Sequence, residues 1–195
     1  MTEIQPPTPI FCMGMEVLDN PQTQNYIELK KIILGSSFPW TQEPIFDNTD
    51  NNFKVNTNYS QGTFFSHPFL LRPYFQERFP KPVSKFLPLV NIVLNEIFEY
   101  NKINPDFILR INANLVNPQK GKQTLQPHND HYFPHKNMLI YLTDAGGKTF
   151  YDDVFHDPEE DDIIIFNGFP KTHYCQLPEE KNRIVIVTTY FDYEI

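Results

Sequence analysis

His128 and Asp130 stand one residue apart in the stretch Gln126-Pro127-His128-Asn129-Asp130-His131. On an extended chain, residues i and i+2 project to the same side, so this imidazole and carboxylate can reach one ion. Together they supply two of the three ligands of a facial triad, the arrangement that suits non-haem Fe(II) and leaves positions open for substrate and dioxygen. His-x-Asp alone occurs often by chance, so the chemistry depends on a third ligand from elsewhere. His173, in Thr172-His173-Tyr174, lies 43 residues past Asp130. It follows an apolar segment (Ile163-Ile164-Ile165-Phe166) and an Asn167-Gly168 turn signal, which together can return the chain to the first pair.

Arg183 stands ten residues beyond His173, at the start of the last apolar segment. A buried cation near a metal needs an anionic partner, because an unpaired charge there is costly. A dicarboxylate co-substrate would supply one, chelating the metal at one end and meeting the guanidinium fork at the other. The remaining histidines fit less well. His131 adjoins Asp130 but projects to the opposite face, as an outer or surface residue. His135 and His156 fall in loop-like segments without ligand partners and read as solvated. His67, in Ser66-His67-Pro68, reads as surface, with a substrate channel as the alternative. Cys175 reads as a small buried residue rather than a reactive thiol. Glu159-Glu160-Asp161-Asp162 reads as a solvated turn.

The elements that must position these groups show in the hydrophobic period. After about residue 105 the period is two, giving strand candidates Phe107–Leu115, Met138–Thr143, Lys148–Tyr151, Asp162–Phe166 and Arg183–Phe191. In the first, Leu109, Ile111, Ala113 and Leu115 share one face and Arg110, Asn112 and Asn114 the other. That polar face suits a barrel wall lining a polar cavity and equally a face turned to solvent. In the last strand, Arg183, Val185, Val187 and Thr189 share a face. Earlier in the chain a strand is expected over Ile10–Leu18. A helix follows, with Asn20 as its cap, Pro21 at its first position and Gly35 at its end, burying Tyr26, Leu29, Ile32 and Ile33. A second helix spans about Pro88 to Tyr100, with Leu89, Ile92, Val93, Ile97 and Tyr100 on one side. Residues 36–80 read as loops with one or two short strands. The sum is an α+β chain, mainly β, whose second half is an antiparallel sandwich or barrel.

The bulk composition agrees. A chain of 195 residues fits one domain, 1–195, with residues 1–105 buttressing a core at 106–193. Its 18 Phe, 10 Tyr and 18 Pro against only 7 Gly argue for strands joined by well-packed loops. A formal charge of −8 argues against a nucleic-acid partner. Two distant cysteines, Cys12 and Cys175, exclude a disulfide framework and point to a reducing, cytoplasmic compartment. The first residues show no signal peptide, and no apolar run approaches a membrane span.

The ordered series His128-Asn129-Asp130, Ile140-Tyr141-Leu142, Gly146-Gly147-Lys148-Thr149-Phe150, Asp162 to Phe166, His173 and Arg183 to Asp192 resembles the 2-oxoglutarate- and Fe(II)-dependent dioxygenase superfamily. It is most similar to the prolyl-4-hydroxylase-like branch, over about Phe107 to Tyr193. The resemblance implies a double-stranded β-helix (jelly-roll) core with two supporting helices. It implies His128, Asp130 and His173 as iron ligands and Arg183 as the anchor of the distal 2-oxoglutarate carboxylate. Tyr141 matches a tyrosine that helps bind that carboxylate. The preceding strand carries a further co-substrate contact in many relatives, often a tyrosine. Here the residues are Asn112 and Asn114, a departure that leaves Asn114 as the candidate. Fe(II), 2-oxoglutarate and ascorbate are the cofactors implied. The implied reaction is hydroxylation of a peptidyl proline or another protein side chain. A free amino acid, a small metabolite and a silent jelly-roll binding module are the alternatives.

Overall fold

The computed structural model describes residues 14–43, 64–74, 77–121 and 123–192. Within them lie β1 (Met15–Leu18), α1 (Gln24–Leu34), β2 (Thr41–Glu43), β3 (Phe64–Leu71), β4 (Lys81–Pro82), α2 (Leu87–Tyr100), β5 (Phe107–Val116), β6 (Lys136–Tyr141), β7 (Thr149–Tyr151), β8 (Val154–His156), β9 (Ile163–Asn167), β10 (His173–Cys175) and β11 (Arg183–Phe191). Every pairing is antiparallel. One sheet runs β1-β9-β6-β11-β5-β3-β2, with β4 also on β3, and a smaller one runs β10-β7-β8. The fold is a jelly roll with two helices.

Period-two alternation sorts the large sheet into two faces. On the outer face Ile111, Ala113, Met138, Ile140, Ile163, Ile165, Ile184, Ile186 and Tyr190 pack with the apolar stripes of α1 and α2. On the inner face Leu139, Tyr141, Ile164, Phe166, Val185 and Val187 form a smaller cluster with Tyr151 of the minor sheet. The inner face is less apolar because polar side chains interrupt it at Arg110, Asn112, Asn114, Asn137, Arg183 and Thr189.

Several expectations need correction. Thr23, not Asn20, caps α1: its hydroxyl accepts from Tyr26 N–H, while Asn20 Oδ1 accepts from Gln22 N–H in the preceding turn. Gly35 does end the helix, its N–H returning to the Ile32 carbonyl. The buried face of α2 is Leu87, Val90, Val93, Leu94, Ile97 and Phe98, so Ile92 and Tyr100 turn to solvent. Within the stretch read as loops, β3 is a full eight-residue strand paired with β5. The short strands β4, β8 and β10 were not expected. The supposed solvated turn is a tie between layers: Asp161 accepts from the Tyr26 hydroxyl and from Lys30, and Glu160 also pairs with Lys30. The expected start of the first strand, and Cys12, lie outside the described residues. No described helix is long and apolar enough to cross a membrane.

Candidate metal centre

His128 and His173 meet because their backbones pair. His128 N–H donates to the His173 carbonyl (3.0 Å) and His173 N–H to the His128 carbonyl (2.9 Å). Their rings stand 4.5 Å apart between centroids. Asp130, two residues on, lies with its Oδ2 3.5 Å from His173 Nε2. One ligand atom from each of the three lies within 4.8 Å of the other two, and among the described residues this is the one group with that property. The geometry brings together the triad read from the spacing.

The surrounding groups prepare these atoms for a cation. His128 Nδ1–H donates to the Gln126 carbonyl (2.9 Å), which leaves the lone pair on Nε2. Asp130 Oδ1 accepts from Arg110 Nη2 at 2.7 Å, and Oδ2 accepts from Asn137 Nδ2 at 2.9 Å. Arg110, Thr189 and Asn137 form one register row across β5, β11 and β6, and the Thr189 hydroxyl donates to Asn137 Oδ1 (3.0 Å). Burial alone would raise the Asp130 pKa. The Arg110 guanidinium, hydrogen-bonded to it, outweighs burial and holds the carboxyl well below the usual range. Burial also brings His173 down to about 4, so its imidazole is neutral at ordinary pH. An ionised carboxylate and neutral imidazoles are the forms that a divalent cation takes. The donor set therefore fits iron.

Arg183 is 4% exposed. Its Nη2 donates to Thr149 Oγ1 (3.1 Å), and its guanidinium carbon lies 5.1 Å from the centre of the Tyr141 ring. Its Nε is buried without a hydrogen-bond partner, and no described carboxylate pairs with it. Tyr141, wholly buried, shares a 2.7 Å hydrogen bond with the same Thr149 hydroxyl. Asn114 sits in the Tyr141 row, joined through Val185, and its Oδ1 is buried and unpartnered, as is that of Asn112. Thr149 pairs with Cys175, two positions past the pairing of Tyr151 with His173. Two residues along a strand span about 7 Å.

The spacing argument missed the residues that support the ligands. Asn129 projects away from the triad and donates to the carbonyls of Gly168 (3.0 Å) and Lys171 (2.6 Å), in the loop that delivers His173. Arg72 Nη1 donates to the Asp130 carbonyl at 3.0 Å. Arg110 resolves the open choice for β5: its polar face lines the interior. Two of the other histidines are not solvated as expected. His135 is 5% exposed and packs on Gly168, and His156 bonds Asp162 Oδ2 through Nε2 (2.9 Å). His131 is buried beside Arg72, not at the surface. His67 is held by the Pro39 carbonyl and Ser84 among Phe38, Phe69 and Phe86, so it packs rather than lines a channel. Cys175 is buried and free.

No family model and no curated protein matches the sequence. Solved structures do. A 2OG-Fe(II) oxygenase family oxidoreductase from Burkholderia pseudomallei aligns over 86% of this chain and 78% of its own, with a TM-score of 0.59 and 15% identity. A prolyl hydroxylase from Trichoplax adhaerens, in complex with a hypoxia inducible factor oxygen degradation domain peptide fragment, aligns over 92% and 84%, with a TM-score of 0.56 and 14% identity. At these identities the likeness establishes a shared fold.

Proposed function

We propose that this chain is an Fe(II)- and 2-oxoglutarate-dependent dioxygenase that hydroxylates a C–H bond. The observation that carries the reading is a clustered His-Asp-His group together with a buried guanidinium that no described carboxylate pairs, in a fold like that of a 2OG-Fe(II) oxygenase. Fe(II) with bound 2-oxoglutarate supplies dioxygen activation, coupling C–H oxidation to decarboxylation of the co-substrate to succinate.

The chain's own part is binding and positioning. His128, Asp130 and His173 would hold the metal. Arg110 and Asn137 fix the Asp130 carboxylate and keep it ionised. Arg183 receives the distal carboxylate, with Thr149 and Tyr141 holding the guanidinium in place and Asn114 beside it. Leu139, Ile164, Val185 and Val187 exclude water from the space between the sheets. The peptide complex of the Trichoplax relative supports a protein side chain, such as a peptidyl proline, as substrate. A small free acid is the second reading, favoured by the arginines beside Asp130. A silent binding module would have no use for Arg183 in its buried, carboxylate-free setting.

Anaerobic titration with Fe(II) and then 2-oxoglutarate tests the proposal. A weak visible charge-transfer band is expected, followed in air by succinate, measured with and without ascorbate. Absence of both band and succinate would overturn it.

A further inference from the structure

Two guanidinium groups, Arg110 and Arg72, meet at Asp130, and a third, Arg183, is buried at Thr149 and Tyr141. Arg110 and Arg72 both bind Asp130, at its Oδ1 and at its backbone carbonyl, and Arg183 stands along the strands beyond His173. Among the described residues no other acid pairs with any of the three. The interior thus carries an excess of positive charge inside a chain whose formal charge is −8.

Loading the site does not remove that excess. A divalent cation and a dicarboxylate cancel one another, and the distal carboxylate is matched to Arg183. The surplus stays at the other end, where Arg110 and Arg72 share Asp130. Arg110 has one nitrogen committed to Asp130 and a side chain 12% exposed. Arg72 is partly buried, with Nη1 on the Asp130 carbonyl. A guanidinium in such a place binds planar oxyanions in a forked, directional way.

We propose that the substrate carries a carboxylate, received by Arg72 and Arg110 on the Asp130 side of the metal triad. The inference rests on the oxygenase reading and narrows it to acids: a free carboxylic acid, or a peptide presenting Asp, Glu or its own C-terminus.

The test uses full-length protein loaded with Co(II) and 2-oxoglutarate, with binding read as a change in the cobalt absorption bands, so that no turnover is needed. One panel sets free amino acids and small carboxylic acids against their carboxamides. The other sets short acidic peptides against Asn, Gln and C-terminally amidated counterparts. At least one acid is expected to perturb the bands with an affinity tenfold or more above its amide, and the panel in which it appears identifies the source. Arg72→Gln should erase that preference, read on the cobalt-loaded fraction of the variant. Equal binding of acids and amides, no response to any acid, or a preference that survives Arg72→Gln would overturn the inference. A protein that never develops the cobalt bands would instead overturn the metal centre itself.

Discussion

Arg183 is the residue whose surroundings say most about its task. A guanidinium almost out of solvent, supported by one threonine hydroxyl and one aromatic face, is held in shape but not neutralised. Arg183→Ala should therefore weaken 2-oxoglutarate binding by about 10- to 100-fold, the range for a charge-assisted hydrogen-bonded pair. Maximal turnover at saturating co-substrate should change little by comparison. Succinate formation measured against 2-oxoglutarate concentration checks this, and an unchanged requirement would remove the assigned role. The sequence made Arg183 legible because a lone cation opens a strand that is otherwise apolar. Arg110 was legible only as one of two choices, since alternation shows which residues share a face and not what that face meets. Asp130 decides it, from 20 residues further along the chain.

At the level of elements, the site depends on how the His173 loop is fastened to the His128 segment. Asn129 bridges them with two hydrogen bonds to loop carbonyls, and Gly168 N–H donates to the His135 carbonyl (2.8 Å). Asn129→Ala should lower metal affinity by about 10- to 100-fold, as loss of a ligand-supporting contact commonly does. Equilibrium metal competition with a chelator measures it. At Gly168 the space is the constraint: an added Cβ would lie 1.8 Å from His135 Nε2. Gly168→Ala should cost about 1–3 kcal/mol of stability by overpacking and move the loop. Chemical denaturation of the metal-free protein reports the first effect and metal affinity the second. This close approach explains why His135 read as solvated. The sequence shows Asn167-Gly168 as a turn, whereas the imidazole that fills the glycine's missing side chain comes from another part of the chain. The α1 cap is a similar case. Asn20 and Thr23 are both cap-forming residues, and Thr23 prevails because Asn20 is engaged in the turn before the helix and donates to the Asp161 carbonyl.

Across the whole molecule, buried neutral histidines set the response to acid. His131 lies near 3, His173 near 4 and His135 below its ordinary 6.5, burial being the largest cause in each. Below pH 6.5 the unfolded chain binds protons at these positions that the folded chain refuses. Stability must then fall as pH falls, most of it between 6.5 and about 3, with each unit of separation worth about 1.4 kcal/mol. Asp130 acts in the same direction below its ordinary 3.8, since its folded pKa is depressed. Thermal unfolding of metal-free protein at pH 7, 6, 5 and 4 should show a steadily decreasing midpoint. A flat profile would contradict the buried neutral state. An antiparallel sandwich or barrel was legible from the period-two segments, and the jelly roll from the resemblance of the motifs they carry. Of the shortest strands, β7 was legible as Lys148–Tyr151, whereas β4, β8 and β10 were not, because so few positions cannot establish a period.

The central strand pair, β5 with β11, separates two kinds of selective pressure. Positions 111, 113 and 115 of β5 belong to the layer under the helices, and 110, 112 and 114 belong to the inner chamber. A saturation library read twice, once for cellular abundance and once for metal and co-substrate retention, should show two interleaved combs along this strand. Odd positions should fail in the first assay. Even positions should keep more of their abundance and fail in the second. Such a partition gives the chamber freedom to change its preferred molecule through substitutions that the scaffold does not register.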